Sequence, residues 1–266
     1  MKHLYVAWQH EDSREWVPVA VLESNDSGYT LQYTKGAKRC KGFAGLGRMG
    51  ALDHIYHSAT LFPFFQNRMI NKSRPEYKTH LEWLGLNELT GDPLSILAVT
   101  GGLRATDSFE LIPSPQRIGD LLTLDFFPRG LRHMPEGTLE RIAKIQPGLR
   151  LYLVKDVQNL KDGNAILLRT DDPNALVGYV AKYYCAGLGR LLAKDANSVV
   201  VTVKQVNADA PLDMRLLCTL NAPASLEIEF LECESDFLPW TSDDIDGNPK
   251  EAFHNAGLQL SFPLTS

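Results

Sequence analysis

Short apolar runs separated by polar turns fill most of this chain, and their period switches between two and about 3.6 residues. His3 to Trp8 is a β-rich run closed by the polar loop Gln9 to Glu15. Trp16 to Leu22 predicts a second strand, with Pro18 marking an edge or a bulge, because proline has no N–H for a ladder. A turn at Asn25-Asp26-Ser27-Gly28 leads to a third strand, Tyr29 to Tyr33, completing an antiparallel meander. Helical spacing starts near Leu52. Leu61, Phe62, Phe64, Phe65, Met69 and Ile70 surround Pro63, which suits the first turn of a helix, and this aromatic group reads as core. A further helix is expected after Ser73-Arg74-Pro75. Another is capped by Asp92-Pro93 and stopped by Gly101-Gly102. Asp107 to Pro113 reads as a closing strand.

The second half repeats the alternation. Leu121 to Phe127, Arg150 to Val154, Ala165 to Leu168, Leu176 to Val180, Val199 to Val203 and Met214 to Leu220 predict strands. Thr138 is placed to cap a short helix ended by Pro147-Gly148, and Lys182 to Lys194 is an amphipathic helix with Tyr184, Leu188, Leu191 and Leu192 on its apolar side. Many short strands with few helices suggest a small barrel. After Glu232 the chain is acidic and turn-rich around one apolar group, Phe237-Leu238-Pro239-Trp240. It reads as a loosely ordered extension or a docking segment.

Composition narrows the possibilities. The chain has 266 residues, 44% hydrophobic and 22% charged, which is ordinary for a globular protein with ample core. A formal net charge of -5 supplies no global attraction to nucleic acid or anionic membrane, so such binding needs a local patch. Cys40, Cys185, Cys218 and Cys233 form no C-x-x-C pair, which argues against a zinc site and a disulfide framework and fits a reducing cytosol. Neither a signal-type apolar segment nor a membrane-length run occurs, so a cytoplasmic location is expected.

Candidate enzymatic chemistry is sparse. Lys35 to Gly50 is basic and Gly-rich but lacks phosphate-loop spacing, and a mobile surface loop is expected there. His54 and His57 sit near Asp53 at a spacing common on helix surfaces, with no third metal ligand. Cys40 lies among cations but has no evident His partner. No nucleophile-elbow, zinc-protease or phosphate-loop motif is present, so no enzyme activity, cofactor or metal is expected.

The most concentrated polar stretch is the loop Asp156 to Asn164, set between two apolar runs, where Gly163 can take positive φ. It is either a solvated turn or a binding loop held by its flanking strands. Asp156, Asn159, Asp162, Asn164, Ala165 and Ile166, then Val177, Gly178, Tyr179, Val180 and Lys182, preceded by Gly130-Leu131-Arg132-His133, resemble the HIRAN domain. That module occurs in eukaryotic fork-remodelling helicases and in bacterial proteins. The resemblance runs from about Leu121 to about Glu232 and implies binding of single-stranded DNA at a free 3′-hydroxyl end.

On that basis Arg132 and Lys182 would meet phosphates, while His133 and Tyr179 would stack on bases or donate to phosphate. Asp162 would accept a hydrogen bond from the terminal hydroxyl and repel a terminal phosphate. Asn159 would read a base edge or bond backbone, and Asn164 holds the loop. Each has a plainer alternative: solvated cations, a loop-capping Asp, a half-buried core Tyr. Lys161 stands where the family has an aromatic, and Met134 where a second is usual, so one stacking platform is replaced by a cation and affinity is expected to fall.

In the first half, the meander, Phe64-Phe65-Gln66-Asn67-Arg68-Met69, Asp92 to Gly102 and Phe109 to Pro113 are similar to the N-terminal subdomain of HipA-type toxin kinases, a small β-barrel with helices. The kinase lobe is missing, so the likeness implies no phosphotransfer. The fold expected is α+β, two small β-barrel-type domains each decorated with short helices. Residues 1–116 form the HipA N-terminal-like domain, 117–232 the HIRAN-like domain and 233–266 the acidic extension. The function expected is non-enzymatic recognition of a single-stranded DNA end, with the first domain recruiting a partner such as a helicase, a nuclease or a HipA-type kinase, in DNA repair, defence or a toxin–antitoxin setting. The alternative is an antitoxin-like interaction protein without DNA binding. No membrane partner is expected.

Overall fold

The computed structural model describes residues 2–225 and 235–240. The first half holds strands β1 (Lys2–Gln9), β2 (Trp16–Asn25) and β3 (Gly28–Tyr33), helix α1 (Lys35–Arg39) and strand β4 (Tyr56–Ser58). Helices α2 (Pro63–Gln66), α3 (Tyr77–Trp83) and α4 (Pro93–Thr100) follow, then strand β5 (Phe109–Pro113). The strands make an antiparallel sheet in the order β4-β3-β2-β1-β5.

The second half contributes β6 (Gln116–Ile118), β7 (Leu121–Phe126), α5 (Thr138–Ala143), β8 (Arg150–Lys155), β9 (Ile166–Arg169) and β10 (Leu176–Tyr179). Helix α6 (Lys182–Lys194) and strands β11 (Val200–Val206) and β12 (Leu216–Pro223) complete it. Its sheet runs β10-β9-β8-β11-β12-β7-β6, again antiparallel. The mixed α and β composition is as expected, but neither sheet closes into a barrel. A single bridge, Arg129 to Tyr179, joins the continuation of β7 to β10 without closing the second sheet.

The apolar runs of β1 and β2 are continuous because both faces of the first sheet are covered. Side chains alternate across a strand. Leu4 and Val6 pack with Val19, Leu22, Phe65, Leu94 and Leu111 on the side of the first half's own helices. Tyr5, Ala7, Val21 and Ile112 join the core built by Leu124, Phe126, Leu168, Tyr184, Leu188 and Leu220 of the second half. One core therefore spans both halves.

Local signals behave as their chemistry requires. Asp92 Oδ1 accepts hydrogen bonds from the backbone N–H groups of Leu94 (3.1 Å) and Ser95 (3.2 Å), and Gly101 ends α4 in the left-handed conformation. Pro18 marks a bulge rather than an edge: β2 is an interior strand, and its register to β1 skips Val19. The Pro18 carbonyl accepts from the Thr34 hydroxyl at 2.6 Å instead.

Several expectations fail. Lys35 to Gly50 is no mobile surface loop: it opens with α1, and Cys40, Phe43, Leu46 and Met49 are buried in the first core. The Tyr33 hydroxyl donates to the Met49 carbonyl and accepts from the Leu46 N–H at 2.9 Å, pinning the segment from beneath. The region from Leu52 is a turn followed by edge strand β4, so His57 pairs across the sheet with Thr30 rather than lying on a helix. Thr138 does not cap α5. The N-cap is Gly137, and the Thr138 hydroxyl reaches the Leu176 carbonyl at 3.1 Å.

Of the C-terminal extension, residues 235–240 return to the first sheet. Phe237 packs edge-on to Tyr5, the Trp240 N–H donates to the Tyr33 carbonyl at 2.8 Å, and Arg39 pairs with Asp236 at 2.6 Å. The remainder of that expected extension lies outside the described residues. Among the described residues, no helix is long and apolar enough to cross a membrane.

Candidate nucleic-acid interface

A cleft of about 370 Å³ opens where the loop after β8, the end of β10, the start of α6 and the turn after β7 converge. Its polar lining comprises Glu110, Arg129, Asn159, Lys161, Asp162, Tyr179, Lys182 and Tyr183.

The loop holds itself through side chains that replace backbone partners. Asp156 Oδ1 accepts from the Gln158 N–H (3.2 Å). Asn159 Oδ1 accepts from the N–H groups of Lys161 and Asp162, both at 3.0 Å. Asp162 Oδ1 accepts from the Asn164 N–H at 2.9 Å. The Asn159 oxygen is thereby committed to backbone. The Asn164 side chain, expected to hold the loop, makes no hydrogen bond among the described residues, and only its N–H is used. Gly163 needs no positive φ.

Asp162 lines the cleft, and its second oxygen, Oδ2, has no hydrogen-bond partner among the described residues. Tyr179 is half-buried and donates its hydroxyl to Asp156 Oδ2 at 2.8 Å. That bond to a carboxylate, together with burial, raises the phenol's pKa. Lys161 and Lys182 are exposed at the rim. Lys182 begins α6, so the positive end of that helix lies beside the cleft.

Arg132 and His133 are not part of this lining. They sit on a short 3-10 turn, both exposed, with Arg132 Nε 3.0 Å from His133 Nε2. The arginine that enters the cleft is Arg129, three residues earlier. Its Nη2 donates to Glu110 Oε1, which also accepts from the Tyr183 hydroxyl at 3.1 Å. The Glu110 side chain is 8% exposed and that of Arg129 33%. Burial raises the Glu110 carboxyl's pKa, while Arg129 and Tyr183 oppose that rise.

Glu110, Arg129 and Tyr183 were outside the sequence-level expectation. The one available signal was an acid placed inside the apolar strand Phe109-Glu110-Leu111-Ile112, where an uncompensated charge is costly.

Arg129, Lys161 and Lys182 against Glu110 and Asp162 leave the lining with a cationic excess on a chain whose net charge is -5. The cleft can thus grip an anionic strand while offering a carboxylate oxygen as an acceptor. It is poorly furnished for nucleophilic chemistry. Cys185 lines it, but burial pushes that thiol up to about 11, and its sulfur faces the Ala181 carbonyl at 3.6 Å. Among the described residues, no cluster of three His, Cys, Asp or Glu could hold a metal.

Comparison with solved structures finds similarity to a protein from Lactobacillus plantarum at 20% identity, covering 39% of this chain and 90% of that one, with a TM-score of 0.31. It also finds the HIRAN domain of human HLTF at 19% identity, covering 40% of this chain and 79% of that one, with a TM-score of 0.30. No curated protein matches the chain. The family model that matches is the HIRAN domain, over residues 121–224. Those residues supply the whole polar lining except Glu110, and this segment of the chain is a HIRAN domain.

Proposed function

We propose that the cleft binds nucleic acid, and specifically the end of a single DNA strand carrying a free 3′-hydroxyl, in a non-enzymatic role. Arg129, Lys182 and the first turn of α6 grip the sugar–phosphate backbone. Tyr179 offers a ring face to a base. The observation that carries the reading is that Asp162, whose Oδ2 has no hydrogen-bond partner among the described residues, lines the same cleft as Lys182. An ionised carboxylate accepts from a hydroxyl and repels a phosphate at the same place. The first half acts as a HipA-like module that recruits or regulates a protein partner.

Fluorescence anisotropy at low salt, with oligonucleotides ending in 3′-hydroxyl or 3′-phosphate, tests this reading. The hydroxyl end is expected to bind more tightly, and Asp162→Ala to narrow the gap. Equal binding of both ends, unchanged in Asp162→Ala, rejects end recognition.

One observation favours a second reading. Val157 and Leu160, on the loop that walls the cleft, are exposed aliphatics, which suit contact with a protein. In that case the chain is an antitoxin-like module for a HipA-type kinase or another partner, and no oligonucleotide binds at all.

A further inference from the structure

The floor of the cleft is built by both halves of the chain. Glu110 comes from β5 of the first sheet, and its two side-chain partners, Arg129 and Tyr183, come from the HIRAN domain. On β5, Glu110 alternates with Leu111, so it points to the same face as Ile112, toward the core that spans the halves. An apolar side chain there would pack without the desolvation cost of an acid. The acid is 8% exposed, while the arginine it holds is open to the cleft on its other side.

Arg129 therefore faces two claims, one from Glu110 behind it and one from any anionic group entering in front. We infer that Glu110, supplied by the first half, is a positioning residue that restrains Arg129 and thereby sets how strongly the HIRAN cleft takes an anionic strand. This rests on the nucleic-acid reading of the cleft. The restraint makes the fit between the two halves a determinant of affinity. A guanidinium already paired with a carboxylate offers less to a phosphate, and the acid's charge opposes the strand through the same contact.

The test uses the full chain and a short fluorescein-labelled oligothymidylate with a 3′-hydroxyl, titrated at low salt against the parent, Glu110→Gln, Arg129→Gln and the double variant. Glu110→Gln is expected to bind about tenfold more tightly than the parent. Arg129→Gln is expected to bind more weakly, and the double variant to match Arg129→Gln within about twofold, because the acid acts only through the arginine. Equal or weaker binding by folded Glu110→Gln overturns the inference. So does a double variant that binds more tightly than Arg129→Gln, since the acid then acts on the strand directly.

Should Glu110→Gln fail to fold, Glu110→Asp takes its place: the shorter acid keeps the charge near Arg129 but loosens the contact, so tighter binding than the parent is expected and equal or weaker binding overturns the restraint. Binding by the parent without a gain in Glu110→Gln defeats the restraint and leaves the nucleic-acid reading standing. Absence of binding in every protein defeats both. Binding that emerges only in Glu110→Gln supports both.

Discussion

Arg129 and Tyr179 face each other across an isolated antiparallel bridge, each donating its backbone N–H to the other's carbonyl at 2.8 Å. Directly opposed residues of an antiparallel pair project to the same face. Both side chains accordingly line the cleft. The strands they extend, β7 and β10, have four others between them in the sheet order β10-β9-β8-β11-β12-β7. The bridge is thus the contact that brings the arginine following β7 to the tyrosine of the edge strand β10.

The bridge depends on Gly178. Its φ is +120°, and a Cβ built there would stand 2.7 Å from Pro128 Cβ and 3.0 Å from the Arg129 carbonyl oxygen. Gly178→Ala is expected to destabilise the fold by about 2–3 kcal/mol, combining backbone strain with that close approach. Urea denaturation measures it, and a loss under about 0.5 kcal/mol means the bridge yields without cost.

The cations should separate by position. Lys182 lines the cleft and Arg132 does not. Lys182→Ala is expected to weaken oligonucleotide binding and to flatten the slope of log K against log salt by roughly 0.7, the release expected from one single-strand phosphate contact. Arg132→Ala should leave that slope within error. The reverse pattern across a salt series places the strand over the 3-10 turn instead.

Lys161 can be tested by restoring what it replaces. The residue is exposed at the cleft rim, where an aromatic ring could cover a base. Lys161→Tyr exchanges one charge for stacking worth about 1–3 kcal/mol per base, so a net gain in affinity and a shallower salt slope are expected together. Weaker binding with an unchanged slope shows that no base reaches this wall.

What could be read from the sequence was set by how local each feature is. Asp92-Pro93 and Gly101 mark α4 because cap and stop lie within the helix's own few turns. The loop from Asp156 to Asn164 was legible for the same reason: Asx turns are bonds between near neighbours. Lys35 to Gly50 was misread because Phe43, Leu46 and Met49 bury without helix or strand periodicity, held by Tyr33 from another element. Arg129 was missed in favour of Arg132 because its partners lie 19 positions before it, at Glu110, and 50 after it, at Tyr179. Only the fold brings those together. The strands β1 and β2 were legible as a meander, but not their burial on both faces, because the second cover is the other half of the chain.

Glu110 makes a prediction about pH. Burial raises its carboxyl's pKa in the folded state, with Arg129 and Tyr183 pulling the other way. A carboxyl whose folded pKa lies above its unfolded value of about 4.3 stays protonated longer in the native chain. The native state then binds more protons than the unfolded state between those two values, so the stability this group contributes is full below the lower value and declines as pH rises through the upper one. Glu110→Gln removes that titration and leaves the other carboxyls in place. Subtracting its unfolding free energy from that of the parent, across urea melts between about pH 4 and 8, isolates the single group. The difference is expected to fall with rising pH and to level off once Glu110 is ionised against Arg129. A difference that rises over that interval would mean the guanidinium outweighs burial and the carboxyl titrates below its ordinary range.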